Sequence, residues 1–129
     1  MPRSSFGTDL PPQMESVMGA LAELADSRGV FILDYLLGLP FQTEANQTYE
    51  EVRADMASLL RSMRPGVSEI IIHPSPATDE IKAIMPHWER RAMEFELFRD
   101  PYIQKVIKEE GIQMIRWIDL QKAQRAVTK

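Results

Sequence analysis

The sequence contains no cysteine. Disulfides, thiolate metal sites and a cysteine nucleophile are therefore excluded, and the composition fits a reducing, cytoplasmic setting. No apolar run approaches the roughly 18 residues of a membrane span. The opening Met1-Pro2-Arg3-Ser4-Ser5 is not followed by the apolar stretch of a secretory leader. Basic charge is in deficit, with a formal net charge of -4, so there is no global signature of nucleic-acid binding. The local basic tail of Lys122, Arg125 and Lys129 reads as a solubilising end. A Gly-rich phosphate loop and a Gly-x-Ser-x-Gly elbow are both missing, which argues against nucleotide binding and serine-hydrolase chemistry.

What is present describes a globular chain. Hydrophobic residues make up 44% and charged residues 26% of 129 positions, enough for one domain, residues 1–129, around one core. After an extended lead-in through Pro12, the apolar residues Met14, Val17, Met18, Leu21, Leu24 and Ala25 recur at helical spacing, and Gly29 can close that helix. From Val30 to Leu39 apolar residues occupy both parities. That pattern is a strand covered on both faces, with a short buried helix as the alternative. Thr48-Tyr49-Glu50-Glu51 has the form of a capping box opening a helix that runs to about Met63. Val67 to Pro74, with three consecutive isoleucines, is the clearest strand, ended by a proline that cannot donate to a ladder.

A short helix capped by Thr78 or Asp79 follows, then helices over about 87–99 and from Asp100-Pro101 to near Gly111. A last strand is expected over Ile112–Ile118, with Asp119 capping a final short helix. Strands separated by helices predict an α/β fold with a parallel sheet and right-handed crossovers.

Four residues stand out as candidates. His73 sits at the C-terminal end of the Ile-rich strand, where α/β sheets and barrels bind ligands. An imidazole there can move a proton near neutral pH; equally, it can be a satisfied strand cap. Asp34 interrupts the most apolar segment, and a buried carboxylate requires a partner. It is either a strand-end anchor or a pocket residue. Arg91 and Glu94 lie three apart on one helical face beside Trp88. They form either a surface ion pair or a partly buried pair holding the loop after His73. Only His73 and His87 are histidines, and they lie on different predicted elements, so no metal-ligand spacing is present.

Three stretches in fixed order carry a resemblance: Pro65 to Pro74, Trp88-Glu89-Arg90-Arg91 with Glu94 to Phe98 behind it, and Glu110 to Trp117. Leu37-Gly38-Leu39-Pro40-Phe41 and Thr48 to Arg53 fit as well. Together they resemble the YdjC-like carbohydrate deacetylases, which include chitooligosaccharide deacetylases. The resemblance covers nearly the whole chain and matches the C-terminal half of that family. It implies a partial (β/α) barrel, with a few parallel strands and flanking helices. It also implies metal-dependent hydrolysis of N-acetyl groups on sugars, with an acetylated oligosaccharide as substrate. His73-Pro74 matches the family's His-Pro, which implies that His73 protonates the leaving amine. Ser75 stands where the family often has Gly or Ala.

The family's Asp-Asp strand and clustered histidines, which supply the ligands for a divalent metal such as Mg or Zn, have no counterpart here. The resemblance thus implies a truncated, inactive chain that binds no metal alone. Half a barrel leaves strand edges and an apolar face open, so a homodimer or a complementing partner is expected. The alternative is a non-catalytic α/β association module that self-assembles or binds a partner.

Overall fold

The computed structural model describes residues 4–5, 12–40 and 47–127. In chain order they form β1 (Ser4–Ser5), α1 (Pro12–Ser27), β2 (Tyr35–Gly38), α2 (Tyr49–Arg61), β3 (Ser68–Ile71), α3 (Asp79–Ile84), α4 (Trp88–Leu97), α5 (Pro101–Glu109) and α6 (Trp117–Val127). Helix dominates. The three strands make one small sheet in the order β1-β2-β3. β1 and β2 pair in parallel, Ser4 with Tyr35 and Ser5 with Leu36. This overturns the expected partial (β/α) barrel, because strands of two and four residues cannot form a barrel wall.

Local chemistry explains where the expected strands fail. α1 closes in a Schellman turn: Gly29 adopts a φ of 64°, its N–H reaches the Asp26 carbonyl, and the Val30 N–H reaches Ala25. The apolar stretch from Val30 to Asp34 therefore leaves a helix end, and regular pairing begins only at Tyr35. β3 stops at Ile71, two residues short of His73. The His73 N–H is taken by a side chain instead of a neighbouring strand, and Pro74 has none to offer.

The last expected strand is absent among the described residues. At Arg116 the backbone N–H donates to the Asp119 carboxylate, and the guanidinium grips both oxygens of the same group at 3.1 Å. A carboxylate at the third helical position that reaches back to the preceding N–H starts a helix. α6 accordingly begins at Trp117, inside the stretch expected as the last strand.

The chain divides into two compact units: Met1–Leu37 with Pro65–Ile70 and Met114–Lys129, and Gly38–Arg64 with Ile71–Gln113. The second is a helical unit in which α2 packs against α4 and α5. The Thr48–Glu51 capping box opens α2 as its sequence requires. Val52, Met56, Ala57 and Leu60 of α2 meet Leu97 of α4 and Ile103 and Val106 of α5, all buried. The spacing of these residues puts each set on one helical stripe. Asp100 caps α5 by accepting from the Tyr102 N–H at 2.7 Å, with Pro101 in the first turn.

Among the described residues of the first unit Leu33 and Leu37 are buried, and a polar lock lies where β2 and β3 begin. The Asp34 carboxylate accepts from the Val67 N–H at 2.8 Å, and the Asp34 N–H donates to the Val67 carbonyl at 2.9 Å. Gly66 makes this possible. Its φ is 139°, and a Cβ there would lie 2.9 Å from Asp34 Oδ2 and 3.2 Å from the Tyr35 ring. Asp34 thus serves as a strand-end anchor.

Gly66→Ala should lower stability by about 1–3 kcal/mol through backbone strain and collision with Asp34. Urea midpoints of the single and double variants with Asp34→Ala check this. The glycine penalty should shrink, though not vanish, once the carboxylate is gone. Strict additivity would rule out the collision.

Candidate functional site

α4 presents its residues in a stripe set by Leu97, which is fully buried against the core of the second unit. Stepping back by three and seven positions along the helix puts Glu94 and Arg90 on that face. Both are buried, at 7% and 6% exposure. Arg90 Nε donates to Glu94 Oε1 at 3.0 Å, and Arg90 NH1 donates to the Gln47 side-chain carbonyl at 2.9 Å. The second carboxylate oxygen, Glu94 Oε2, accepts from the backbone N–H of His73 at 2.6 Å. One residue past Pro74, the Ser75 N–H donates to the Arg91 carbonyl at 3.1 Å. The segment after β3 is thus held by α4 at two points that bracket a proline.

Of the sequence candidates, His73, Arg91 and Glu94 come together here, and Asp34 belongs to the lock described above. The expected Arg91–Glu94 pair is replaced by Arg90–Glu94. Arg91 is only half-buried and contributes its main chain. The three-residue spacing drew attention to the wrong arginine. The signal that finds the right one is Leu97: residues 90, 94 and 97 share one face, whereas 91 and 94 align with the bulky but only half-buried Phe95 and Phe98.

Burying two charges costs several kcal/mol per ion before compensation. Here the compensation is a short, charge-assisted set of bonds. Each is made with a group that a pair of apolar side chains would leave unsatisfied. The arrangement fixes the main chain at His73, a residue that is half-buried. Imidazole in such a place can exchange protons with a bound molecule.

The site does not fit a resident divalent ion. Among the described residues no group of three His, Asp or Glu side chains could hold one, and His87, the only other histidine, is exposed before α4. A shallow, open depression of about 320 Å³ lies elsewhere on the second unit, lined by Tyr49, Glu96, Arg99, Asp100 and Pro101. Beside it the Tyr49 hydroxyl donates to Asp100 Oδ2 at 2.8 Å, and Arg53 NH1 donates to the same oxygen at 3.3 Å. The Arg53 guanidinium also sits 5.8 Å from the Tyr49 ring and 5.4 Å from the Tyr102 ring. With the helix cap added, both oxygens of Asp100 are committed, so the cluster works as a clasp between α2 and α5. Its partners lie 51 and 47 residues apart, beyond the reach of any local sequence pattern.

Burial raises the Tyr49 hydroxyl from 10.0 to about 12, reinforced by its bond to Asp100. For Asp100 burial pushes upward, but the bonds from Tyr49, the Tyr102 N–H and Arg53 outweigh it and hold the carboxyl below its ordinary range.

No protein-family model matches the chain, and no curated protein matches it in sequence.

Two outcomes follow for this unit. Arg90→Met should destabilise by about 3–5 kcal/mol, because it leaves a buried carboxylate without its counter-charge. Adding Glu94→Gln should recover at least about 1 kcal/mol, since a neutral amide still accepts from His73. Denaturant unfolding of both variants measures the difference, and a double variant no better than the single one would show that the charge is immaterial.

The clasp contributes to the pH profile at both ends. Asp100 binds its proton less tightly when folded, so its stabilisation is present above pH 3.8 and lost as pH falls through the lower folded value. Tyr49 binds its proton more tightly when folded, so its contribution is present below pH 10.0 and lost as pH rises toward 12. Urea midpoints against pH should show the gap between wild type and Asp100→Asn closing in acid, and Tyr49→Phe flattening the alkaline limb.

Proposed function

We propose that the chain is a homologue of the YdjC-like carbohydrate deacetylases. On this reading His73 is the acid that meets an N-acetylated sugar. The ordered motifs from Leu37 to Trp117 support it. The observation that carries it is the buried Arg90–Glu94 pair, which pins the main chain at the histidine of the His-Pro motif. A buried charge pair spent on one loop N–H is an expensive way to end a strand and a reasonable way to position a functional ring.

Hydrolysis of an acetamide needs a proton delivered to nitrogen as the C–N bond breaks, because the unprotonated amide nitrogen is a poor leaving group. His73 supplies that proton. Its free amine product leaves as the acetyl group departs as acetate. Activation of the attacking water is not assigned to these residues, since their donor set does not fit a divalent ion. The chain by itself is therefore a sugar-binding and proton-donating part of a deacetylase, without turnover of its own. The setting is cytoplasmic, in keeping with a sequence free of cysteine. Among the described residues no helix is long and apolar enough to cross a membrane.

Titration with di-N-acetylchitobiose, followed by the imidazole carbon-bound proton resonances, tests the reading. The His73 signals should shift saturably at millimolar sugar while those of His87 stay in place, and His73→Ala should abolish the binding. Sugar that leaves the His73 ring undisturbed, or that binds His73→Ala equally well, would remove the deacetylase assignment.

A further inference from the structure

We infer that the first unit is the contact surface of a homodimer, formed by α1 of one copy on the Met114–Val127 segment of a second. This goes beyond the deacetylase reading and does not depend on it. Among its described residues the unit buries Leu33 and Leu37 and exposes most of its other large apolar side chains. Met14, Val17, Leu21 and Leu24 are all exposed on α1. Their spacing of three, four and three residues lines them along one stripe, the pattern of a helix that packs on another surface. A second exposed apolar group opens α6: Met114, Ile115, Trp117 and Ile118, with Trp117 at 60% exposure. Exposed apolar groups of this kind are found at association sites, and tryptophan and methionine are among the residues enriched there.

Charge selects the occupant. The sequence of α1 includes Glu15, Glu23 and Asp26 and neither lysine nor arginine. On the other surface Arg116 and Asp119 neutralise each other, which leaves Lys122 and Arg125 as its net basic charge. Two apolar faces of the same unit thus bear opposite charge. A two-fold axis that places the acidic helix of one copy on the basic segment of the next makes the same contact twice. The strand edges are a poorer surface, because β1 has two residues and β3 four, and edges this short offer little to pair with.

Sedimentation velocity of the whole chain over about 1–100 μM, the range in which moderate interfaces dissociate, should show a reversible monomer–dimer equilibrium. Leu21→Glu keeps a good helix former at an exposed position and should raise the dissociation constant at least about tenfold, as loss of a central apolar contact does. Glu23→Lys should weaken the dimer, and adding Lys122→Glu and Arg125→Glu to it should restore the affinity, because the exchange recreates opposite charges across the contact. Should Leu21→Glu reduce helicity by circular dichroism, the charge exchange decides alone. A monomer at every concentration overturns the proposal. So does a dimer indifferent to Leu21→Glu or not rescued by the exchange. A monomer that co-sediments with neutral phosphatidylcholine vesicles through Leu21 overturns it as well.

Discussion

The buried bond from Arg90 to Glu94 ties together parts of the second unit that no apolar contact would hold in register. Its arginine reaches Gln47, just ahead of the α2 cap, and its glutamate reaches the main chain at His73. Two apolar residues of similar volume would fill the space and avoid several kcal/mol of desolvation per charge. They would also leave the His73 N–H buried against nothing, a loss of about 1–3 kcal/mol. They would free the segment around Pro74 to settle differently. The pair's contribution is therefore the selection of one arrangement, in the sense that buried polar networks specify a conformation when each member is satisfied.

The two units solve the problem of burial differently. The helical unit follows the ordinary route, with α2, α4 and α5 placing apolar stripes against one another and Asp100 fastening two of them at their polar ends. The other unit depends on short-range geometry: a Schellman turn at Gly29, a reciprocal bond between Asp34 and Val67, and a glycine at position 66 that leaves room for the carboxylate. Such devices fix the backbone without removing much apolar surface from water. Hydrophobic stabilisation scales with the area removed, at about 25 cal/mol per Å². Among its described residues that unit buries two leucines and leaves Leu21 and Leu24 exposed on α1.

The helix termini were readable in the sequence because their determinants lie within four residues of one another. The Thr48–Glu51 box, the Thr78 and Asp100 caps and the turn at Gly29 form as their chemistry demands. Strands were misread because apolar, β-branched composition is permissive and pairing is decided elsewhere in the chain. Val30 to Asp34 and Ile112 to Ile115 have the composition of strands and lie outside regular pairing. At Arg116 a local carboxylate bond wins over a ladder that would need a distant partner. The arginine of the buried pair lies one position from the expected one, a rotation of about 100° on a helix, because three-residue spacing beside Trp88 favours Arg91 whereas the buried face is set by Leu97. The Tyr49–Arg53–Asp100 clasp had no local signature.

Losing the barrel changes how His73 is positioned without removing the reason to attend to it. In a strand-end site the ladder itself aims the side chain. Here the ladder ends at Ile71, and the His73 N–H is held by a carboxylate on α4. The bonds at residues 73 and 75 bracket a proline that fixes its own φ near -65°. Few backbone rotations remain free between them. The imidazole thus inherits its placement from the rotation of a helix about its own axis, and that rotation is set in turn by Leu97 in the core. A change in the packing of α4 would be felt at His73 through the Glu94 carboxylate and at Ser75 through the Arg91 carbonyl.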